Sequence, residues 1–236
     1  MSHTRFTVLM LFAIIAALSV NPASAMVASN MVNLQNHNNA ISDQGYLYGG
    51  GLDSNQAYYT GVYSWTNAGY TPGLGSQVPN WGFCIELTEG AVDGWATVIP
   101  LETSPLPPSY GTPMGMAKAN YIRELWGRDF DPAWATGANT QMAEAFNVAI
   151  WEIIYETDPT WDVTSGAGFH VAGGVEQAAT ANLWLSQLNG DTAYFANNLY
   201  AVSVNGGQDY MVQIPEPATL SLLAVGAAAL LRKRKS

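Results

Sequence analysis

Two apolar runs, one near each end, bracket this chain and set which residues are left to build a fold. The C-terminal run is the more telling. Ile214-Pro215-Glu216-Pro217-Ala218-Thr219 leads into an uncharged stretch to Leu231, closed by Arg232-Lys233-Arg234-Lys235-Ser236. Pro215 and Pro217 exclude regular structure around Glu216. Residues 218–231, dominated by Ala and Leu, predict a hydrophobic helix. At 1.5 Å per residue it spans about 21 Å, short of a hydrocarbon core of about 30 Å. It is a marginal permanent anchor, entering a bilayer only if the bilayer thins or the flanking bases snorkel. The bases should stay on the cytoplasmic side, leaving Pro-Glu-Pro on the outer side.

At the other end, His3 and Arg5 precede the apolar run Phe6 to Val20, and Asn21-Pro22 breaks it. Ala23-Ser24-Ala25 fits the small-residue site of a signal peptidase before Met26. Residues 1–25 therefore read as a signal peptide with a signal helix, and 215–236 as a second processing segment. What folds is 26–214.

The C-terminal residues, in the order Pro215-Glu216-Pro217, apolar helix, basic end, resemble the PEP-CTERM sorting signal of Gram-negative bacteria. That resemblance implies an exosortase-type processing enzyme as partner. It also implies an inner-membrane precursor, and delivery to the cell surface or extracellular space.

Without Arg5 and the four bases at the C-terminus, three basic residues remain: Lys118, Arg123 and Arg128. They face seventeen carboxylates once Glu216 is set aside, a net charge of −14 for the exported part. Such a surface repels phosphate backbones, so nucleic acid is excluded as a partner. Cys84 is the only cysteine, so no internal disulfide forms. His3, His37 and His170 are scattered, and His3 leaves with the signal, so neither a metal site nor a cofactor is expected.

Residues 26–45, rich in Asn and Ser, read as a loose lead-in to a domain at 46–214. Gly49 to Gly51 reads as a turn or a flexible tip. Tyr58 to Trp65 predicts a strand. Trp81 to Leu87 predicts another, with Trp81, Phe83, Ile85 and Leu87 on one face and Gly82, Cys84 and Glu86 on the other. Trp95 to Leu101 completes the first group of strands, 46–101. A helical insertion follows at 112–190. Its first helix is capped by Thr112-Pro113 and carries Met114, Ala117, Tyr121 and Leu125 inward. The second, Asn139 to Thr157, buries Ala143, Phe146, Ile150, Ile153 and Ile154 and shows Glu144, Glu152 and Glu156 on a solvated side. A Gly-rich loop, Asp162 to Gly174, leads to a third helix, Glu176 to Asn189, stopped by Gly190. Strands return at 198–214, where Asn205-Gly206-Gly207 predicts a hairpin. The fold class is α+β, a β-sandwich or barrel-like lobe with an inserted helical subdomain.

Phe83-Cys84-Ile85-Glu86, with Ala145-Phe146-Asn147-Val148-Ala149-Ile150-Trp151-Glu152-Ile153 downstream, resembles the thioester domains of Gram-positive surface adhesins. In those domains a Gln side chain acylates the Cys. Asn147 stands in the Gln position here and is one methylene shorter. Cys84 and Asn147 are thus either a thioester-like pair or a small buried residue beside a hydrogen-bonded helix side chain.

The carboxylates form no calcium loop, and there is no nucleophile elbow or phosphate loop, so no catalytic residue is assigned. The expectation is a non-enzymatic surface or biofilm-matrix protein that associates with exopolysaccharide, matrix proteins or a surface. The alternatives are a covalent adhesin using Cys84 and a secreted polysaccharide hydrolase. The exposed share of the Trp and Tyr residues could stack on sugars.

Overall fold

A computed structural model describes residues 30–41, 44–49, 57–107, 113–157, 160–165, 168–171 and 177–215. The expected signal peptide with Ala23 and Ala25, the motif residues Glu216 and Pro217, and the hydrophobic helix expected at 218–231 lie outside the described residues. So do Gly50, Gly51, Thr112 and Asp158. No helix among the described residues is long and apolar enough to cross a membrane.

Nine strands and three α-helices are described. The strands are β1 (Met31–Ile41), β2 (Gln44–Gly49), β3 (Ala57–Tyr59), β4 (Val62–Tyr70), β5 (Trp81–Cys84), β6 (Gly94–Pro100), β7 (Phe169–Val171), β8 (Leu199–Val204) and β9 (Tyr210–Gln213). The helices are α1 (Met116–Asp129), α2 (Thr140–Tyr155) and α3 (Gln177–Leu185). Six strands close an antiparallel barrel in the order β1-β4-β5-β9-β8-β6, and β3-β2-β7 form a separate small sheet. The α+β class is as expected, and the lobe is a barrel rather than a sandwich.

The register decides which side chains point inward, because directly paired residues share a face. Cys84 pairs with Tyr210, Tyr210 with Val202, and Val202 with Val98. Val32 pairs with Ala96, and Tyr63 with Gly82. These residues fill the interior, where Trp65, Tyr63 and Tyr210 pack with ring centroids 5.0 and 5.7 Å apart across Tyr210. Gly82 leaves the room they need: a methyl group there would lie 2.6 Å from the Met211 carbonyl oxygen and 2.9 Å from Trp65 Cη2.

The opposite parity points outward. Phe83 pairs with Met211, and Met211 with Ala201, on the wall that the helices cover. Phe83 meets Phe146 of α2 at 5.2 Å and Trp126 of α1 at 5.8 Å. On its far side α2 meets the small sheet, with Trp151 6.4 Å from Phe169 of β7. Enclosed between two β layers and the neighbouring helices, α2 is buried on every side from Ala143 to Tyr155.

Several expectations are corrected by these contacts. The stretch 26–45 is no loose lead-in. It supplies β1, which closes the barrel against β4 and β6, and the start of β2. Only Val32 and Leu34 of its N-terminal half are fully buried, and bulges break its register with β4, so its alternation is faint in the sequence. The strand expected at 58–65 is two strands: Gly61, at φ +111°, turns the chain from the small sheet into the barrel. The first strand of the 81–87 stretch ends at Cys84. The first helix starts at Met116 after Gly115, not at Pro113, and buries Ala119, Ile122, Leu125 and Trp126 while Ala117 is exposed. The loop at 162–174 contains β7. The helix expected at 176–189 ends its α-helical part at Leu185, and Gly190, at φ +83°, turns the chain away. The hairpin at Asn205 to Gly207 joins β8 to β9.

Candidate functional site

The helix carboxylates expected on a solvated face are buried. Glu144 accepts from Gln177 Nε2 at 2.5 Å, Glu152 from the Asp162 N–H at 2.8 Å, and Glu156 from the Gly168 N–H at 3.3 Å. Glu124 of α1, fully buried, takes Arg128 at 2.8 Å and the Gly190 N–H at 2.7 Å. Glu124, Glu152 and Glu156 act as acceptors for loop backbone that a hydrophobic side chain would leave unpaired, and Glu144 ties α2 to the Gln177 side chain of α3. The exported part's other two bases are engaged as well. Arg123 pairs with Glu102 at 2.6 Å, and Lys118 donates to the Ile154 carbonyl.

Cys84 and Asn147 are brought together, but through the backbone. The Asn147 Nδ2 donates to the Cys84 carbonyl at 3.1 Å, and its Oδ1 accepts from the Gly61 N–H at 3.1 Å. Trp151 Nε1 donates to the same Cys84 carbonyl at 2.8 Å. The Cys84 thiol donates to the Glu86 carbonyl at 2.9 Å. Asn147 therefore ties the corner before β4 to the end of β5, and both ends of its amide are occupied. The helices cover the Phe83 side of β5, whereas Cys84 points to the barrel interior. Burial pushes the thiol well above its ordinary value, holding it protonated and inert. Thioester-type chemistry finds no support in this arrangement.

Beside this clamp a cleft of about 340 Å³ opens at one end of the barrel. Glu86, Glu89, Leu106, Ser203, Asn205 and Asp209 are among its lining residues. Glu86 caps its own turn, accepting from the Thr88 N–H at 2.7 Å and the Glu89 N–H at 2.6 Å. Asp209, 3 % exposed, accepts from the Val204 N–H at 2.9 Å and so pins the β8–β9 hairpin. Burial pushes its carboxyl up to about 7, and the charges of Glu86 and Glu89 add to the shift. No group of three His, Cys, Asp or Glu side chains among the described residues could hold a metal ion. The sequence missed this cleft because its residues come from three separate stretches. The one local cue is Asp209 itself, an acid just past the hairpin turn.

The predicted sorting residues begin where the barrel stops. Trp126 Nε1 donates to Gln213 Oε1 at 3.1 Å, and the Ile214 N–H donates to the Asn198 carbonyl at 2.9 Å. Ile214 is buried and Pro215 is exposed. The fold thus holds the chain up to Ile214 and exposes Pro215. No curated protein and no solved structure matches this chain. Residues 213–235 match the family model of the PEP-CTERM protein-sorting motif. The chain thus carries a PEP-CTERM sorting motif at its C-terminal end, the signal of an exported protein sorted by an exosortase.

Proposed function

We propose that the barrel and its helical layer form a non-enzymatic binding module, delivered to the cell surface or extracellular matrix, that associates with exopolysaccharide. The precursor is held at the inner membrane until its tail is processed. The observation that carries this reading is the junction at Ile214 and Pro215. A sealed domain ends where an export-and-sorting motif begins, so what is delivered is the domain itself. The buried Asn147 and Glu124 are engaged in holding backbone together. Fractionation of producing cells tests the reading. The mature protein should sediment with extracellular polysaccharide and release no reducing sugar from it. A protein recovered wholly free of polysaccharide would contradict it. Deleting Pro215 to Pro217 should leave the protein in the membrane fraction, and unchanged release would remove the role of the motif.

A second reading, a polysaccharide hydrolase, is favoured by one feature: Asp209, its carboxyl pushed up to about 7, lines a cleft with two other carboxylates. A carboxyl that stays protonated near neutrality can serve as a general acid. Release of reducing sugar that Asp209→Asn abolishes would establish it in place of the binding reading.

A further inference from the structure

Trp95 is the one exposed residue among the eight tryptophans of the chain, at 48 % exposure. It lies on β6 and pairs with Asn33 of β1, which pairs in turn with Gly69 of β4. A methyl group placed on Gly69 would sit 3.5 Å from Trp95 Cη2 and 3.9 Å from Asn33 Cβ. The indole therefore reaches over a whole neighbouring strand to the next one. Two strand spacings amount to about 9.6 Å, more than an indole can span unless it lies along the sheet. One ring face rests on the barrel wall, and the other faces solvent.

Its neighbours Asn33 and Gln35 on β1 and Thr97 on β6 are polar and uncharged. Gln35 and Asn33 are hydrogen-bonded to each other at 3.1 Å, and the exposed Thr97 pairs with Ser203 of β8. Ser203 also lines the cleft that holds Glu89 and Asp209. Trp95, Thr97 and Ser203 thus mark a continuous path from the flat ring into that cleft. Lys118, Arg123 and Arg128 are all on α1, which packs against a different side of the barrel, and all three are engaged there.

We infer that this wall and cleft form an extended binding site for a neutral polysaccharide, with Trp95 as its stacking platform. The inference rests on the proposed polysaccharide-binding role and specifies where and what is bound. A flat aromatic face open to solvent suits the C–H face of a pyranose ring. Amide, hydroxyl and carboxylate groups alongside suit its hydroxyls. The carboxylates of the cleft, with no base among the wall residues named, would repel uronate or sulfate groups, so the polymer is uncharged. A protein partner fits less well: stable interfaces bury about 800 Å² per partner around an aromatic, apolar centre, and here one ring lies in an amide and hydroxyl field.

Affinity electrophoresis of the mature protein tests this, with dextran, hydroxyethylcellulose, galactomannan and the cells' own extracted polysaccharide as neutral probes and alginate as the anionic one. At least one neutral polymer should retard the protein and alginate should not. Trp95→Ala should weaken retardation about tenfold or more, in line with stacking losses on aromatic platforms. Trp95→Phe should keep most of it. An unchanged melting curve for Trp95→Ala, expected of an exposed residue, ties the loss to the site. Equal retardation of Trp95→Ala and the native protein would overturn this inference and leave the binding role standing, and so would equal retardation by alginate. A native protein retarded by no polysaccharide would overturn both. A concentration-dependent dimer that Trp95→Ala abolishes, with no polysaccharide bound, would assign the wall to a second copy of the chain instead.

Discussion

Asn147 does two jobs with one amide, accepting from Gly61 and donating to Cys84. Asn147→Leu keeps the branched heavy-atom skeleton and removes both bonds, leaving the buried Gly61 N–H without its acceptor. The expected cost is about 1–3 kcal/mol, read by urea unfolding. Asp209 gives a pH signature. Its folded value of about 7 lies above the ordinary aspartate value of about 4, so the folded protein binds the proton more tightly. The stabilisation is full below about pH 4 and is lost as pH rises through about 7. Melting temperature should fall over that range, and Asp209→Asn should flatten the curve; a native curve as flat as the variant's would show that Asp209 ionises normally. Cys84 is buried with its thiol held protonated. It should react slowly with thiol reagents in the native protein and fully once unfolded. These side chains stand in the sequence as plain letters. Their roles come from backbone groups brought near by chain folding: Gly61 is 86 residues from Asn147.

At the scale of elements, α2 was the most legible part of the chain, because its apolar residues recur at helical spacing. Phe146, Ile150 and Ile153 are buried, as the periodicity predicts. Its glutamates were misread because spacing reports which residues share a side, while only tertiary packing decides whether that side meets water. The same limit hid β1, whose bulges and asparagines blur the alternation. Gly127 of α1 gives a test in which packing outweighs propensity. Alanine ordinarily improves a helix by about 1 kcal/mol over glycine. Here a methyl group would sit 1.7 Å from the Tyr194 carbonyl oxygen, with backbone on both sides of the contact. Gly127→Ala should therefore lower the melting temperature. A rise would mean that the segment Thr192–Tyr194 does not press on α1. Ile150→Ala, at a site with no exposure, should cost about 2–5 kcal/mol.

For the molecule as a whole, the sorting motif was readable because its information is local: two prolines, an acid, an apolar run and a basic end, in order. The barrel was legible only as strands before and after helices, since closure depends on pairings between β1 and β6 and between β5 and β9 that no local pattern encodes. The two meet at Ile214, the last buried residue among those described, and Pro215, the exposed residue that follows it. We propose that the folded domain is exported and cut free at this junction. The intact mass of the mature protein recovered from outside the cells tests it most directly. The expected mass is that of a chain that starts at Met26, ends close to Pro215-Glu216-Pro217 and carries an unmodified Cys84. A mass that retains the residues through Ser236, with the protein still released from the membrane, would contradict it.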